Sequence, residues 1–481
     1  MLRLTSALLL ALASCHALPG GTEPRGVRLG LTKAIDEVTV RWQTQVPTPR
    51  TVARVAPVSD GAGLPLIFEG AQRSFDASST RTIVLHTVTI TGLSPGALYT
   101  YELLNSTTWT APRTFRSRRS PGDTAPLQLL AFCDAGVVDG QRRAALDAAA
   151  LDVAEITFDA LLHCGDFAYD LNSEDGKRGE QFLNDIEPMV SSLPYLTAPG
   201  NHEIHANMSY YKALFGEDLF WSIDIGPIHL VSYNTEMYFW PEWYGAEHAA
   251  RQHAWLDADL AAADANREAV PWIIVTGHRP MYCTWPDATT GACDGEHEAS
   301  RKGILSVCSP LDGHSCMRRW GATANLSVEQ LLRKHGVDVA IFGHIHIYSR
   351  SWPVHDEVVY AYGDGAYVDP PATVHMVTGA GGNGEMKLGE KPPPQGKGGR
   401  YIAFQSGYAP ADGQSADYSY SRVTVHNATT LEWVQMSGTL GGVVDHFVLT
   451  RTRGVPSFGE QWAADDKLLT SQPLTGSIAV D

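Results

Sequence analysis

Positive charge is scarce in this chain of 481 residues: 36 lysines and arginines stand against 53 aspartates and glutamates, a formal net charge of −17. Binding to duplex or single-stranded nucleic acid relies on a basic footprint, so no nucleic-acid partner is expected. Apolar runs are short as well. Beyond the first residues no stretch approaches the ~20 apolar residues that a spanning helix needs, and the polar end Ile478-Ala479-Val480-Asp481 lacks a lipid-anchor tail. A soluble mature protein with no membrane partner is therefore expected. No internal repeat recurs, which excludes a solenoid. The cysteines include no C-x-x-C pair, the spacing that would favour a structural zinc site.

What is present begins with a leader. Arg3 precedes the apolar run Leu8-Leu9-Leu10-Ala11-Leu12-Ala13, and small residues follow at Cys15 and Ala17, the order of a secretory signal peptide over residues 1–17. Of the 7 cysteines, four (Cys283, Cys293, Cys308 and Cys316) crowd into one segment. Two disulfides there fit an oxidising compartment, with three pairings left open. Asn105, Asn207, Asn325 and Asn427 each open an N-x-S/T acceptor sequence for N-glycans. Together these features predict a secreted glycoprotein, extracellular or else lysosomal or vacuolar. An anionic substrate of so acidic a protein would need local cations, which bound metal ions supply.

The length predicts two domains. From Arg25 to about Arg118 the residues alternate in strand fashion; in Glu37-Val38-Thr39-Val40-Arg41-Trp42, Val38, Val40 and Trp42 are expected to face a core, and Thr39 and Arg41 water. The turn Gly92-Leu93-Ser94-Pro95-Gly96, followed by Tyr99 and Tyr101, resembles fibronectin type III modules. Arg116-Ser117-Arg118-Arg119-Ser120-Pro121-Gly122 reads as a solvated linker. Beyond it, apolar strands alternate with amphipathic helices: Leu127 to Phe132, Ala160 to His163, Trp272 to Val275 and Val337 to Phe342 as strands, and Arg142 to Val153 as a helix. Ser327-Val328-Glu329-Gln330 has the form of a capping box that starts another helix. Residues 126–450 are thus expected to form an α/β domain, a β-sheet sandwich covered by helices, with 451–481 as a tail. Lys391-Pro392-Pro393-Pro394-Gln395-Gly396-Lys397-Gly398-Gly399 reads as a surface loop.

The chemistry lies in five short clusters: Cys133-Asp134, Gly165-Asp166-Phe167-Ala168-Tyr169, Gly200-Asn201-His202-Glu203, Gly277-His278 and Gly343-His344-Ile345-His346. Most follow an apolar run, so their polar groups fall at strand ends, where ligands of open α/β sheets gather. A single Gly-His or Gly-Asp is more often a turn with a satisfied polar residue. Carboxylates, an amide, imidazoles and a phenol in this order instead suit two-metal hydrolysis of phosphoesters.

This ordered set resembles the purple acid phosphatases, within the wider metallophosphoesterase fold, and His278-Arg279-Pro280-Met281-Tyr282-Cys283 is similar to their animal type. The long members of that family carry a fibronectin-like domain before the catalytic one. Tyr169, three positions after the second aspartate, marks the purple branch. The resemblance implies that Asp134, Tyr169 and His346 hold Fe(III), that Asn201, His278 and His344 hold a divalent ion (Zn, Mn or Fe), and that Asp166 bridges them. It implies a phosphomonoesterase active at acidic pH, with metal-bound hydroxide attacking phosphorus. A colourless two-metal phosphodiesterase on the same scaffold is the alternative. His202 matches the histidine beside the phosphate, His297 matches a second one less closely, and Glu203 is expected to orient His202. Three departures stand out. Ala135 replaces the usual glycine, and Ser349 stands where the family often has glutamate. Cys133 and Cys164 precede ligand positions on strands expected to be neighbours, as a disulfide or as two buried thiols.

Overall fold

The computed structural model describes residues 21–58, 64–240, 244–282, 297–303, 306–307, 318–319, 326–385, 401–406 and 417–451. The leader over 1–17, Cys283, Cys293, Cys308, Cys316, Asn325, the loop at 391–399 and the tail after Arg451 lie outside the described residues.

The first part is a sandwich of two antiparallel sheets. One contains, in order, Arg25–Leu31, Val38–Thr44, Thr82–Ile90 and Ala71–Asp76; the other is built on Leu66–Glu69, Val52–Pro57, Leu98–Asn105 and Arg113–Arg116. Period-two alternation places Val38, Val40 and Trp42 in the core with Val27, Val88 and Leu103. Thr39 and Arg41 depart from expectation. Thr39 is buried and donates to the Gly30 carbonyl at 3.1 Å, and Arg41 is half-buried with its guanidinium beside Gly216. Arg41 is met there by the second part of the chain, which a local pattern cannot foresee. Buried hydrogen bonds tie the two parts: Arg28 Nε donates to the Leu214 carbonyl at 3.1 Å, and Tyr101 Oη to the Ser191 carbonyl at 2.7 Å.

The presumed solvated linker is buried in its middle, at Ser117, Arg118 and Arg119, whereas Pro121 and Gly122 at its end are exposed as expected. Arg118 and Arg119 are only 6% and 7% exposed. Arg118 donates to the carbonyls of Thr32 and Lys33, and Arg119 to those of Ala125 and Pro126. Polar composition signalled a linker here, but a guanidinium fork can satisfy chain-turn carbonyls just as well as it can meet water.

The second part contains two mixed sheets face to face. One runs Tyr195–Thr197, Ala160–His163, Leu127–Phe132, Ser419–Asn427, Thr430–Ser437 and Val443–Thr450; the other runs Trp221–Ile225, Ile228–Ser232, Trp272–Thr276, Val339–Phe342, Val374–Thr378, Tyr348–Ser351 and Ile402–Ser406. Leu127, Leu129 and Ala131 point into the core between the sheets, whereas Leu130 and Phe132 lie in the outer core with helix residues such as Ala145 and Phe182. A strand buried on both faces reads as a continuous apolar run. Helices Ala144–Glu155, Lys177–Val190, Ala246–Ala265 and Val328–Lys334 supply the cover. As the sequence predicts, Ser327 Oγ accepts the Gln330 N–H at 3.2 Å at the start of the last of these.

At the sheet edge, His229 donates through Nδ1 to Asp224 at 2.7 Å and through Nε2 to Asp259 at 3.1 Å. Burial alone would lower its pKa, but the two hydrogen-bonded carboxylates outweigh it and raise it to about 9. A raised folded-state value means that the clamp stabilises fully below the unfolded histidine pKa of ~6.5. That contribution, on the order of 3 kcal/mol, is lost as pH climbs through about 9. His229→Gln is therefore expected to melt roughly 3–5 °C below wild type near pH 6, with the gap closing toward pH 10. A gap that stays constant across that range would refute the charged clamp.

Candidate metal centre

Parallel pairing aligns the strand ends that matter. Leu127–Phe132, Ala160–His163 and Tyr195–Thr197 run parallel in one sheet, as do Trp272–Thr276 and Val339–Phe342 in the other. Each ends just before one of the clusters, so both sheets deliver Asp134, Asp166, Asn201, His278 and His344 to a common rim. The backbone there is bent unusually: φ is +59° at both Asp134 and Asp166, +53° at Tyr169 and +66° at His344. For residues bearing a Cβ this costs roughly 1–2 kcal/mol each, and surrounding hydrogen bonds hold it in place. The neighbouring glycines permit close approach. A Cβ on Gly200 would collide with the Asp166 carboxylate, and one on Gly343 would collide with the Asp134 carboxylate and lie 2.5 Å from Cys133 Cβ.

All seven residues whose side chains the resemblance singles out as ligands come together. Tyr169 Oη lies 2.8 Å from His346 Nε2 and 3.3 Å from Asp134 Oδ1. At the other end, His278 Nε2 is 3.1 Å from both Asp166 Oδ2 and Asn201 Oδ1. Donor atoms of Asp166, His278 and His344 all lie within 4.8 Å of one another. Asp134 and Asp166 are 0% and 1% exposed, and among the described residues neither is paired with a lysine or arginine. Burial, with the Asp166 charge adding to it, pushes the Asp134 carboxyl well above the ordinary range against the pull of His278. Asp166 is held below its ordinary value despite burial, because His278, His202 and His344 surround it. Burial also lifts the Tyr169 phenol well above its usual value, and Asp134 and Asp166 lift it further. Two buried carboxylates, a phenol and three imidazoles thus converge within one site. Hard oxygen donors clustered at one end and imidazole and amide donors at the other fit a pair of cations.

The supporting residues are less legible in the sequence. Glu203 does not orient His202; its carboxylate accepts the backbone N–H groups of Asp166, Phe167 and Gly200 at 2.8–2.9 Å, pinning the two loops together. His202 instead pairs through Nδ1 with Asp170 Oδ1 at 2.8 Å, a residue the sequence reading missed. Burial opposes the His202 charge, but Asp166, Asp170, Glu203 and Glu385 raise its pKa to about 10. Arg279, paired with Glu236 at 2.9 Å, brings Nη1 to 3.1 Å from His344 Nε2. Asn383, fully buried, was missed as well. Gly379-Ala380-Gly381-Gly382 before it, after the strand Val374–Thr378, is the same strand-then-glycine signature that marked the other clusters.

Cys133 and Cys164 directly follow paired strand residues Phe132 and His163, and the structure joins them in a disulfide with a Cα–Cα distance of 4.8 Å. Ser349 is buried within the strand Tyr348–Ser351, opposite Val377 and Gln405. His297 begins the helix His297–Lys302, but its side chain lies outside the described residues. Of the glycan acceptors, Asn207 and Asn427 are exposed, and Asn105 is half-buried with Oδ1 accepting from Thr22 at 3.0 Å.

Comparison with known proteins agrees with this geometry. The family model described as purple acid phosphatase, N-terminal domain, matches residues 24–117; calcineurin-like phosphoesterase matches 128–348; and iron/zinc purple acid phosphatase-like protein C matches 372–446. Acid phosphatase type 7 of Homo sapiens is 32% identical over 447 residues, spanning 91% of this chain and 92% of that protein. Its counterpart in Danio rerio is 31% identical over 455 residues, spanning 91% and 94%. Among solved structures, a purple acid phosphatase from yellow lupin seeds shares the fold at a TM-score of 0.67 and 22% identity, covering 89% of this chain and 74% of that one.

Proposed function

Because this chain belongs to the purple acid phosphatases, we propose that it is a secreted acid phosphatase hydrolysing small phosphomonoesters at a centre of Fe(III) and a divalent ion. Asp134, Tyr169 and His346 would hold the ferric ion and Asn201, His278 and His344 the divalent one, with Asp166 shared between them. The observation that carries the reading is the meeting of the Tyr169 oxygen with Asp134 and His346 at one end of a site whose other end gathers Asn201 and His278 around Asp166. When bound, the two cations supply an activated water and screen the charge of the phosphoryl group.

The remaining chemistry belongs to side chains. His202 keeps its proton because Asp166 and Asp170 outweigh the effect of burial, and Asp170 anchors Nδ1, which leaves Nε2, 3.9 Å from Asp166 Oδ2, facing the centre. From there it donates to the leaving oxygen or steadies charge growing on phosphorus. Beside it opens a cleft of about 580 Å³ lined by Asn172, His202, His205, Asn207 and Tyr244 among others, with room for the alcohol portion of the ester. Secretion is supported by the leader pattern, the glycan acceptors and the Cys133–Cys164 disulfide.

Tyr169→Phe tests the assignment. The variant is expected to keep its fold and lose the visible charge-transfer band of the native protein; an unchanged band would sink the ferric role of Tyr169. Comparing turnover of mono- and diesters by the same preparation settles the substrate class, and faster diester hydrolysis would overturn the monoesterase reading.

A further inference from the structure

Asn383 is fully buried, and its amide makes contacts that leave its orientation no freedom. Oδ1 accepts the Glu385 N–H at 2.9 Å, a contact that only an oxygen can make. Nδ2 donates to the Asp134 carbonyl at 3.1 Å, a contact that only an N–H can make. The same Nδ2 lies 2.6 Å from Tyr169 Oη. The group facing the phenol oxygen is therefore a donor, and that oxygen receives a hydrogen bond.

The loop carrying Asn383 is fixed to the rim on both sides. Gly381 N donates to the Cys133 carbonyl at 3.2 Å, Gly136 N to the Gly382 carbonyl at 2.8 Å, and Ser419 N to the Ala380 carbonyl at 2.9 Å. Gly136 packs so tightly that a Cβ there would come within 3.1 Å of the Tyr169 ring and 3.3 Å of Asn383. The amide and the phenol are thus held against each other by backbone on three sides.

We propose that Asn383 is a positioning residue for the tyrosine: its Nδ2 aims the Tyr169 oxygen toward the ferric position and draws electron density from it. The inference rests on the reading of Tyr169 as a ferric ligand. A hydrogen bond to a ligand atom weakens that atom as an electron donor, raising both the charge-transfer energy and the ferric–ferrous potential. No other described side chain is needed for the effect.

The test uses purified, iron-loaded full-length protein and compares wild type with Asn383→Leu, which keeps the branched shape without the polar atoms, and Asn383→Asp, which keeps the acceptor for Glu385. In both, the visible band is expected to move to longer wavelength and the midpoint potential to fall. Turnover is expected to drop roughly tenfold through kcat, with KM nearly unchanged. Circular dichroism identifies a variant that has not folded, and the other then carries the comparison. A folded, iron-loaded variant with the wild-type band and potential overturns the role of Asn383 alone. Iron-loaded wild type without any visible band overturns the tyrosine reading, and this inference with it.

Discussion

Asp166→Asn is expected to reduce turnover by at least about 10⁴-fold and to destabilise the metal-free protein as well. The two effects come from the same feature. Asp166 sits between the two groups of donors, 3.1 Å from His278 Nε2, and its Oδ1 accepts the His202 N–H at 3.0 Å. Asparagine preserves that backbone contact and removes the charge that draws two cations to one place. The same charge is favourable in the metal-free fold too, because His278, His202 and His344 surround it and hold the Asp166 carboxyl below its ordinary value despite burial. Denaturation in the presence of chelator should show this directly. Elemental analysis should show the variant short of metal, and a variant with full metal and activity within tenfold of wild type would refute the bridging role.

His202→Ala is expected to lower kcat by roughly 10²–10⁴-fold with KM little changed. His202 is held protonated up to about 10 by Asp166, Asp170 and their neighbours, against the opposing effect of burial. In the metal-free protein its proton is therefore kept throughout the acidic and neutral range, and the Asp170 hydrogen bond at Nδ1 favours the same state in the loaded enzyme. The ratio of wild-type to variant kcat should accordingly be flat from about pH 4 to pH 7. A ratio that collapses within that range would show that the proton comes from elsewhere.

How legible was this site? Most ligand positions were readable because they combine a strand with a glycine and a polar residue, and the reason for that combination is steric. Gly200 and Gly343 are required where a Cβ would strike a carboxylate. The strand Leu127–Phe132 was readable because burial on both faces leaves an apolar run interrupted only by the half-buried Gln128. Asp170 and Glu203 were not assigned their roles, since the partners they meet are fixed by loop conformations with positive φ rather than by spacing. Arg41, Arg118 and Arg119 misled for the opposite reason. Their composition predicts water, but they are covered by contacts distant in the sequence or absorbed by carbonyls of a chain turn.

Arg118 spans from the junction to the carbonyls of Thr32 and Lys33, and Arg119 braces Ala125 and Pro126 where the second sandwich begins. The passage between the halves is thus a bolted corner rather than a tether. An enzyme trimmed to its catalytic half would lose the bonds from Arg28 to Leu214 and from Tyr101 to Ser191, and would expose the surface they seal. The front sandwich is best understood as a permanent wall of the hydrolase, and cutting it away should yield an aggregating fragment, not a smaller working enzyme.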